Sequence, residues 1–164
     1  MKPNYQIKTS AEAPVKELFF LISPPRHIIS DVSVLKDDVH YLIGHQLADR
    51  HSIAHVSLFK YNDEHFNDII RHVEVKAAQF KPFNVFLKGF GVFYNGPKRT
   101  IYMDIVNKSP VQEIFEKVVK EDSGFVPHIP IARNLEMDDF LHTVFVFHMV
   151  DSLVQINAFF GIIE

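Results

Sequence analysis

Apolar residues along this chain fall into short blocks, and their spacing shifts from block to block in a way that predicts alternating strands and helices. Glu17 to Ile22 is an apolar run stopped by Ser23, Pro24 and Pro25, which predicts a strand entering a loop. Between His27 and Ile43 the positions Ile28, Val32, Leu35, Val39, Leu42 and Ile43 recur at three- and four-residue steps and end at Gly44, predicting a helix. Ser52 to Tyr61 reads as a strand. Asp63 to Lys76 follows as a helix, with Phe66, Ile69, Ile70 and Val73 on one face and Asn62 or Asp63 as its N-cap.

Phe83 to Leu87, Gly91 to Tyr94 and Thr100 to Val106 are rich in aromatic and branched residues. Lys88-Gly89 and the turn Asn95-Gly96-Pro97 separate them, so a small antiparallel meander is expected. Ser109, Pro110 and Gln112 open a helix through a side-chain cap, and it closes near Ser123 and Gly124. Phe125 to Ala132 is expected as a strand, Met137 to Phe145 as a helix, and His148 to Ile156 and Ala158 to Ile163 as strands. Val144 to Val150 satisfies either period. Long antiparallel stretches mixed with helices make the fold class α+β.

Length and composition narrow this further. The 164 residues form one expected domain, 1–164, long enough to bury a core, with 47% hydrophobic and 23% charged residues. No apolar stretch is long enough to span a bilayer, and residues 1–13 lack the pattern of an export signal, so the expectation is a cytoplasmic protein with no membrane partner. Cysteine is absent, which excludes disulfides, thiolate metal sites and a cysteine nucleophile. The net charge of −3 carries no general basic footprint, so any nucleic acid must be held locally. All 17 Lys and Arg lie in residues 1–133, however, while residues 134–164 hold five acids and neither basic type. This leaves room for a basic cleft in the first part.

The candidate chemistry sits in two short segments. In Ile53-Ala54-His55-Val56-Ser57-Leu58, strand alternation puts His55 and Ser57 on one side and the apolar residues on the other. Pro127-His128-Ile129-Pro130-Ile131-Ala132-Arg133 repeats the pattern, with His128 and Pro130 outward and Ile129 and Ile131 inward. The repetition hints at an internal duplication. Read as ordinary strand residues, these histidines would be surface or core groups, since the chain contains ten.

With those residues in view, the chain resembles the two-histidine (2H) phosphoesterases, which include 2'-5' RNA ligase-like proteins and cyclic phosphodiesterases. Their signature is a pair of H-x-T/S-hydrophobic motifs. His55-Val56-Ser57-Leu58 matches fully, and Phe125-Val126-Pro127-His128-Ile129-Pro130-Ile131-Ala132-Arg133 matches the typical F-x-P-H-I/L-T-I/L-A-R except that Pro130 replaces the hydroxyl residue. The resemblance covers nearly the whole chain. It implies two pseudo-symmetric lobes of antiparallel sheet and helices around a V-shaped cleft, with His55 and His128 facing each other as acid and base in unassigned order. It also implies Ser57 and Arg133 as phosphate-binding residues, an RNA end or small cyclic nucleotide as partner, and no metal or cofactor; a monomer is expected.

Pro130 offers neither O–H nor N–H, so half of the implied phosphate grip is missing. The competing reading is a non-catalytic module that binds a nucleotide or RNA end. Phe20, Tyr102 and Phe125 are candidate base-stacking residues, and Lys88, Lys98 and Arg99 candidate backbone contacts. Zinc is a poor fit, because pairs such as His40 and His45, His51 and His55, or His142 and His148 match no strong ligand spacing. Lys88-Gly89-Phe90-Gly91 is no phosphate loop, as the lysine and hydroxyl that would follow are absent.

Overall fold

The structure is a computed structural model that describes residues 17–61, 66–119, 124–150 and 156–159. Along the chain these form β1 (Leu18–Ile22), α1 (Arg26–Ile43), β2 (Val56–Tyr61), α2 (Phe66–Ala77), β3 (Asn84–Asn95), β4 (Lys98–Ile105), α3 (Ser109–Val119), β5 (His128–Leu135), α4 (Met137–Val150) and β6 (Ile156–Phe159). The fold class is α+β, with two antiparallel sheets: β1 with β2, and a larger one in the order β5-β4-β3-β6. Among the described residues no helix is long and apolar enough to cross a membrane.

α1 spans the predicted helix and stops at Gly44, whose φ of 69° puts it in the left-handed region where glycine carries no steric penalty. Its buried positions are Ile28, Val32, Lys36 and Val39, one stripe at four-, four- and three-residue steps. Lys36 occupies the fully inward slot, and the expected Leu35 beside it is half-buried against the core. β1 and β2 pair from Leu18↔Tyr61 to Ile22↔Val56, where the approach of Pro24 and Pro25 ends β1. Residues 52–55 therefore have no ladder partner, and the strand expected from Ser52 begins only at Val56.

The two expected strands 83–87 and 91–94 are one continuous strand, β3. The pairing steps from Leu87↔Ile105 to Phe90↔Met103, so β3 carries one residue more than β4, and Gly89 at φ 69° absorbs the bulge. β5 is bulged as well: Tyr102↔Pro130 is followed by Ile101↔Ala132, leaving Ile131 extra, and Asn134 adopts φ 59° before Arg99↔Leu135. Alternation consequently fails along β5. Ile129, Pro130, Ile131 and Ala132 are all buried, since α1, α4 and β2 pack against a strand already paired to β4. The outward Pro130 of the sequence reading is a buried residue.

α3 starts at Ser109 with Lys108 supplying the first accepting carbonyl, to the N–H of Val111 and of Gln112. Gln112 does not close a capping box. Its Nε2 donates to the carbonyl of Phe125 at 2.9 Å and holds the segment leading into β5. The strand expected from 148 is overturned as far as Val150: α4 continues through it, with no Gly or Pro to break the turn. Phe147 is buried there against Phe90, ring centroids 4.5 Å apart. β6 covers part of the last expected strand and pairs with Asn84–Leu87 of β3. The proposed caps Asn62 and Asp63, the helix end at Ser123, and residues 151–155 and 160–163 of the last expected strands lie outside the described residues.

The core joins both sheets to α1. Ile28, Val32 and Val39 meet Val56, Val85, Leu87, Ile101, Met103, Ile105, Ile129 and Ile131, each 4% exposed or less. Burial of such side chains contributes about 1.5–3 kcal/mol apiece, which fixes β2 and β5 against the same helix.

Candidate functional site around two histidines

His55 immediately precedes β2 and His128 is the first residue of β5, so each imidazole stands at the N-terminal end of a strand. Both make the same local bond. His55 Nδ1 lies 2.7 Å from the carbonyl oxygen of Ile53, and His128 Nδ1 lies 2.7 Å from that of Val126. A carbonyl oxygen only accepts, so both Nδ1 atoms must carry hydrogen, and in the neutral rings both Nε2 atoms keep a lone pair. The two-residue reach back to the backbone fixes ring and tautomer together. β2 and β5 pack against each other, and His55 is among the charges that act on His128.

His128 is half-buried beside two aromatic rings. The Phe93 ring meets it edge-on at 4.8 Å and Tyr102 at 5.2 Å, while Phe93 and Tyr102 stack on each other at 4.2 Å. A Cβ on Gly91 would lie 2.3 Å from the Tyr102 ring, so only glycine lets that ring lie across β3 beside His128. Burial pushes the His128 pKa below the ordinary imidazole value, helped by the positive charge of Arg133 and by His55. The bond to Val126 and the carboxylate of Asp104, directly across the ladder, oppose the shift without reversing it. Asp104 also pairs with Lys108 at 2.8 Å. Burial and the Asp104 charge together raise the Tyr102 pKa, which keeps the phenol protonated and able to donate.

Ser57 is exposed on β2, two residues beyond His55 and opposite Leu21 of β1. Arg133 is exposed on β5. Its backbone N–H donates to Asp49 Oδ1 at 3.4 Å, and its Nε lies 3.9 Å from Asp49 Oδ2. Pro130 faces Tyr102 in the ladder and is buried, and as a proline it has neither an N–H nor a hydroxyl to donate. Tyr102 is the stacking candidate that sits against a site histidine. Phe20 instead stacks on Phe59 at 4.5 Å, and Phe125 on Phe115 of α3 at 4.4 Å. Of the candidate phosphate contacts, Lys98 pairs with Glu136, and Arg99 donates to the carbonyls of Gly96 and Lys98 and lies over Tyr94. Among the described residues no group of three or more His, Asp or Glu is arranged to hold a metal ion.

Sequence reasoning missed Phe93, Asp104, Lys36 and Asp49. One signal was available, a lysine on the apolar stripe of the first helix four residues after Val32. Phe93 and Asp104 depend on cross-strand register, and Asp49 on how a turn outside the ladder meets β5. Residues 24–153 match the family model of the 2'-5' RNA ligase superfamily. A comparison with curated proteins gave no match.

Proposed function

The chain belongs to the 2'-5' RNA ligase superfamily, which is the 2H phosphoesterase superfamily, and from that premise we propose that it is a metal-independent phosphodiesterase opening ribose 2',3'-cyclic phosphates on RNA ends or nucleotides. The observation that carries the reading is the matched pair of Nδ1-to-carbonyl bonds at His55 and His128, which leaves both Nε2 atoms to handle protons. Superfamily members are generally catalytic as phosphodiesterases or ligases, so the family supports a reaction at phosphorus, and the substrate class rests on the likeness of the motifs.

In this mechanism His128 is the base. Its enclosure by Phe93 and Tyr102 favours the neutral ring, and Nε2 takes a proton from water as the water oxygen attacks phosphorus. The bond from phosphorus to one ribose oxygen breaks, and His55, entering the step as the imidazolium, delivers its Nε2 proton to that oxygen and is left neutral. The product is a nucleoside monophosphate monoester. Ser57 Oγ donates to a phosphoryl oxygen, and Arg133 supplies positive charge to the same group. The reading treats residues 1–164 as one catalytic domain and requires no cofactor.

Pro130 favours a second reading, a binding module that retains the cleft without turnover, because a buried proline cannot stabilise developing charge. The test is hydrolysis of 2',3'-cyclic AMP by wild type, His55→Ala, His128→Ala and Pro130→Thr. The phosphodiesterase reading expects turnover by wild type and loss in both alanine variants. Alanine variants as active as wild type would refute the two-histidine mechanism, and turnover confined to Pro130→Thr would establish the binding module.

A further inference from the structure

Lys36 is the one charged side chain in the fully buried set among the described residues, and the mechanism above does not use it. Its ammonium has three hydrogens and three acceptors: the carbonyls of Asp49 and Ser52 at 3.1 and 3.0 Å, and Ser52 Oγ at 2.6 Å. Ser52 Oγ in turn donates to the Asp49 carbonyl at 2.9 Å. The turn 49–52, which no ladder supports, is thereby pinned to α1 three residues before His55. The same turn carries the Asp49 carboxylate across to β5, where it meets Arg133 through both backbone N–H and guanidinium. Asp49 Oδ2 is buried and makes no hydrogen bond at the 3.9 Å separation from Arg133 Nε.

A buried lysine serving only as filler would be replaced at no loss by an apolar side chain, since burial of its charge is unfavourable and already lowers its pKa. What the ammonium provides is a link. It ties the helix to the turn that leads to one histidine, and the Asp49 carboxylate of that turn reaches the strand that starts with the other.

We infer that Lys36 and Asp49 are positioning residues for the proposed reaction, holding the His55 segment and the Arg133 guanidinium in register with His128. The inference rests on the two-histidine reading, and it adds residues outside both sequence motifs. Lys36 acts on His55 through the backbone of the 49–52 turn, and Asp49 acts on the phosphate through Arg133. Misplacement of reacting groups by about 1 Å can lower turnover on the order of a hundredfold, so modest slack in this turn is enough to matter.

The experiment uses the full chain with Lys36→Met, Asp49→Asn, Arg133→Ala and the Asp49→Asn/Arg133→Ala double variant. Two readouts are taken: kcat and KM for 2',3'-cyclic AMP, and the ring 15N resonances of His55 and His128. Asp49→Asn leaves the lysine contacts to backbone in place, so it remains informative if Lys36→Met fails to fold. The inference expects Asp49→Asn to lower kcat/KM by about tenfold alone and by much less in the Arg133→Ala background, because coupled residues are non-additive. It also expects folded Lys36→Met to shift the ring resonances of His55. Equal losses from Asp49→Asn in both backgrounds, or His55 resonances unmoved in folded Lys36→Met, overturn it. If wild type does not turn over, the phosphodiesterase reading fails by itself, and the resonances of His55 and His128 in the Lys36→Met and Asp49→Asn proteins decide the inference: movement upholds it and unchanged rings overturn it.

Discussion

Gly91→Ala is the smallest change that tests how His128 is held. Gly91 has no left-handed φ, so alanine fits its backbone, and the consequence is steric. The three nearest atoms to the new methyl all belong to Tyr102, at 2.3, 2.4 and 2.6 Å. Ordinary carbon contact begins near 3.4 Å, so the ring must move by about 1 Å or more. That motion breaks the 4.2 Å stack with Phe93 and the edge contact with His128. Overpacking of this kind costs about 1–3 kcal/mol, and each aromatic pair lost accounts for about 0.5–1.5 kcal/mol of it. Melting temperature should fall by about 2–4 °C for each kcal/mol in a protein of this length. In a Tyr102→Ala background the obstacle is gone, and alanine is favoured over glycine in a strand by about 0.5–1 kcal/mol. The effect of Gly91→Ala must therefore change sign between the two backgrounds, as read by urea or thermal unfolding. A second consequence follows at His128: with the ring displaced, water reaches the imidazole and its pKa climbs back toward the ordinary value, measurable by NMR titration. Destabilisation of equal size in both backgrounds would refute the assignment of Tyr102 as the group Gly91 admits.

The lowered His128 pKa places the acid limb of kcat/KM below the ordinary imidazole value of about 6.5, and Arg133→Gln, which removes one of the charges lowering it, should move that limb to higher pH; a limb unmoved by Arg133→Gln counts against His128 as the base. Pro130→Thr restores a hydroxyl at the second motif and is expected to raise kcat, by up to about 10²–10³ if the new donor reaches the phosphoryl oxygens, checked by steady-state hydrolysis. His45 pairs with Asp139 at 3.0 Å, and that hydrogen bond raises its pKa. A raised folded pKa stabilises fully below the unfolded value and loses its effect as pH rises through the folded one, so His45→Gln should lower the melting temperature more at about pH 5.5 than at about pH 8.5. The reverse ordering would show that the pair contributes through packing.

The chain announced its elements better than its register. α1, its glycine stop, α3 and the α+β class followed from spacing and punctuation alone, because a helical stripe such as Ile28, Val32 and Val39 is a local property. Where tertiary contact decides, local pattern misled. The apolar run 144–150 suits a strand as well as a helix, and the helix prevails as far as Val150, carrying Phe147 onto Phe90. Gly89 looked like a break between two strands and is a bulge within one, since a single left-handed residue lets β3 continue past β4.

The site shows the same division at finer scale. Strand alternation in the sequence groups His55 with Ser57 and His128 with Pro130, yet His55 precedes its strand and β5 is bulged just after Pro130. The common feature of the two histidines is instead a bond to the carbonyl two residues back, at the point where the chain enters a strand. The residue between ring and carbonyl, Ala54 in one case and Pro127 in the other, lies just before the ladder pairing of its strand begins. A histidine at a strand entrance can therefore be oriented by its own backbone without a second side chain. The two histidines thus make the same backbone bond although their third motif residues, Ser57 and Pro130, are chemically unlike. Differences between the halves arise from the surroundings: Phe93 and Tyr102 enclose His128, whereas the Lys36-pinned turn delivers His55. Proton affinity is thus set by packing on one side and position by a buried cation on the other, and neither requirement leaves a short motif in the sequence.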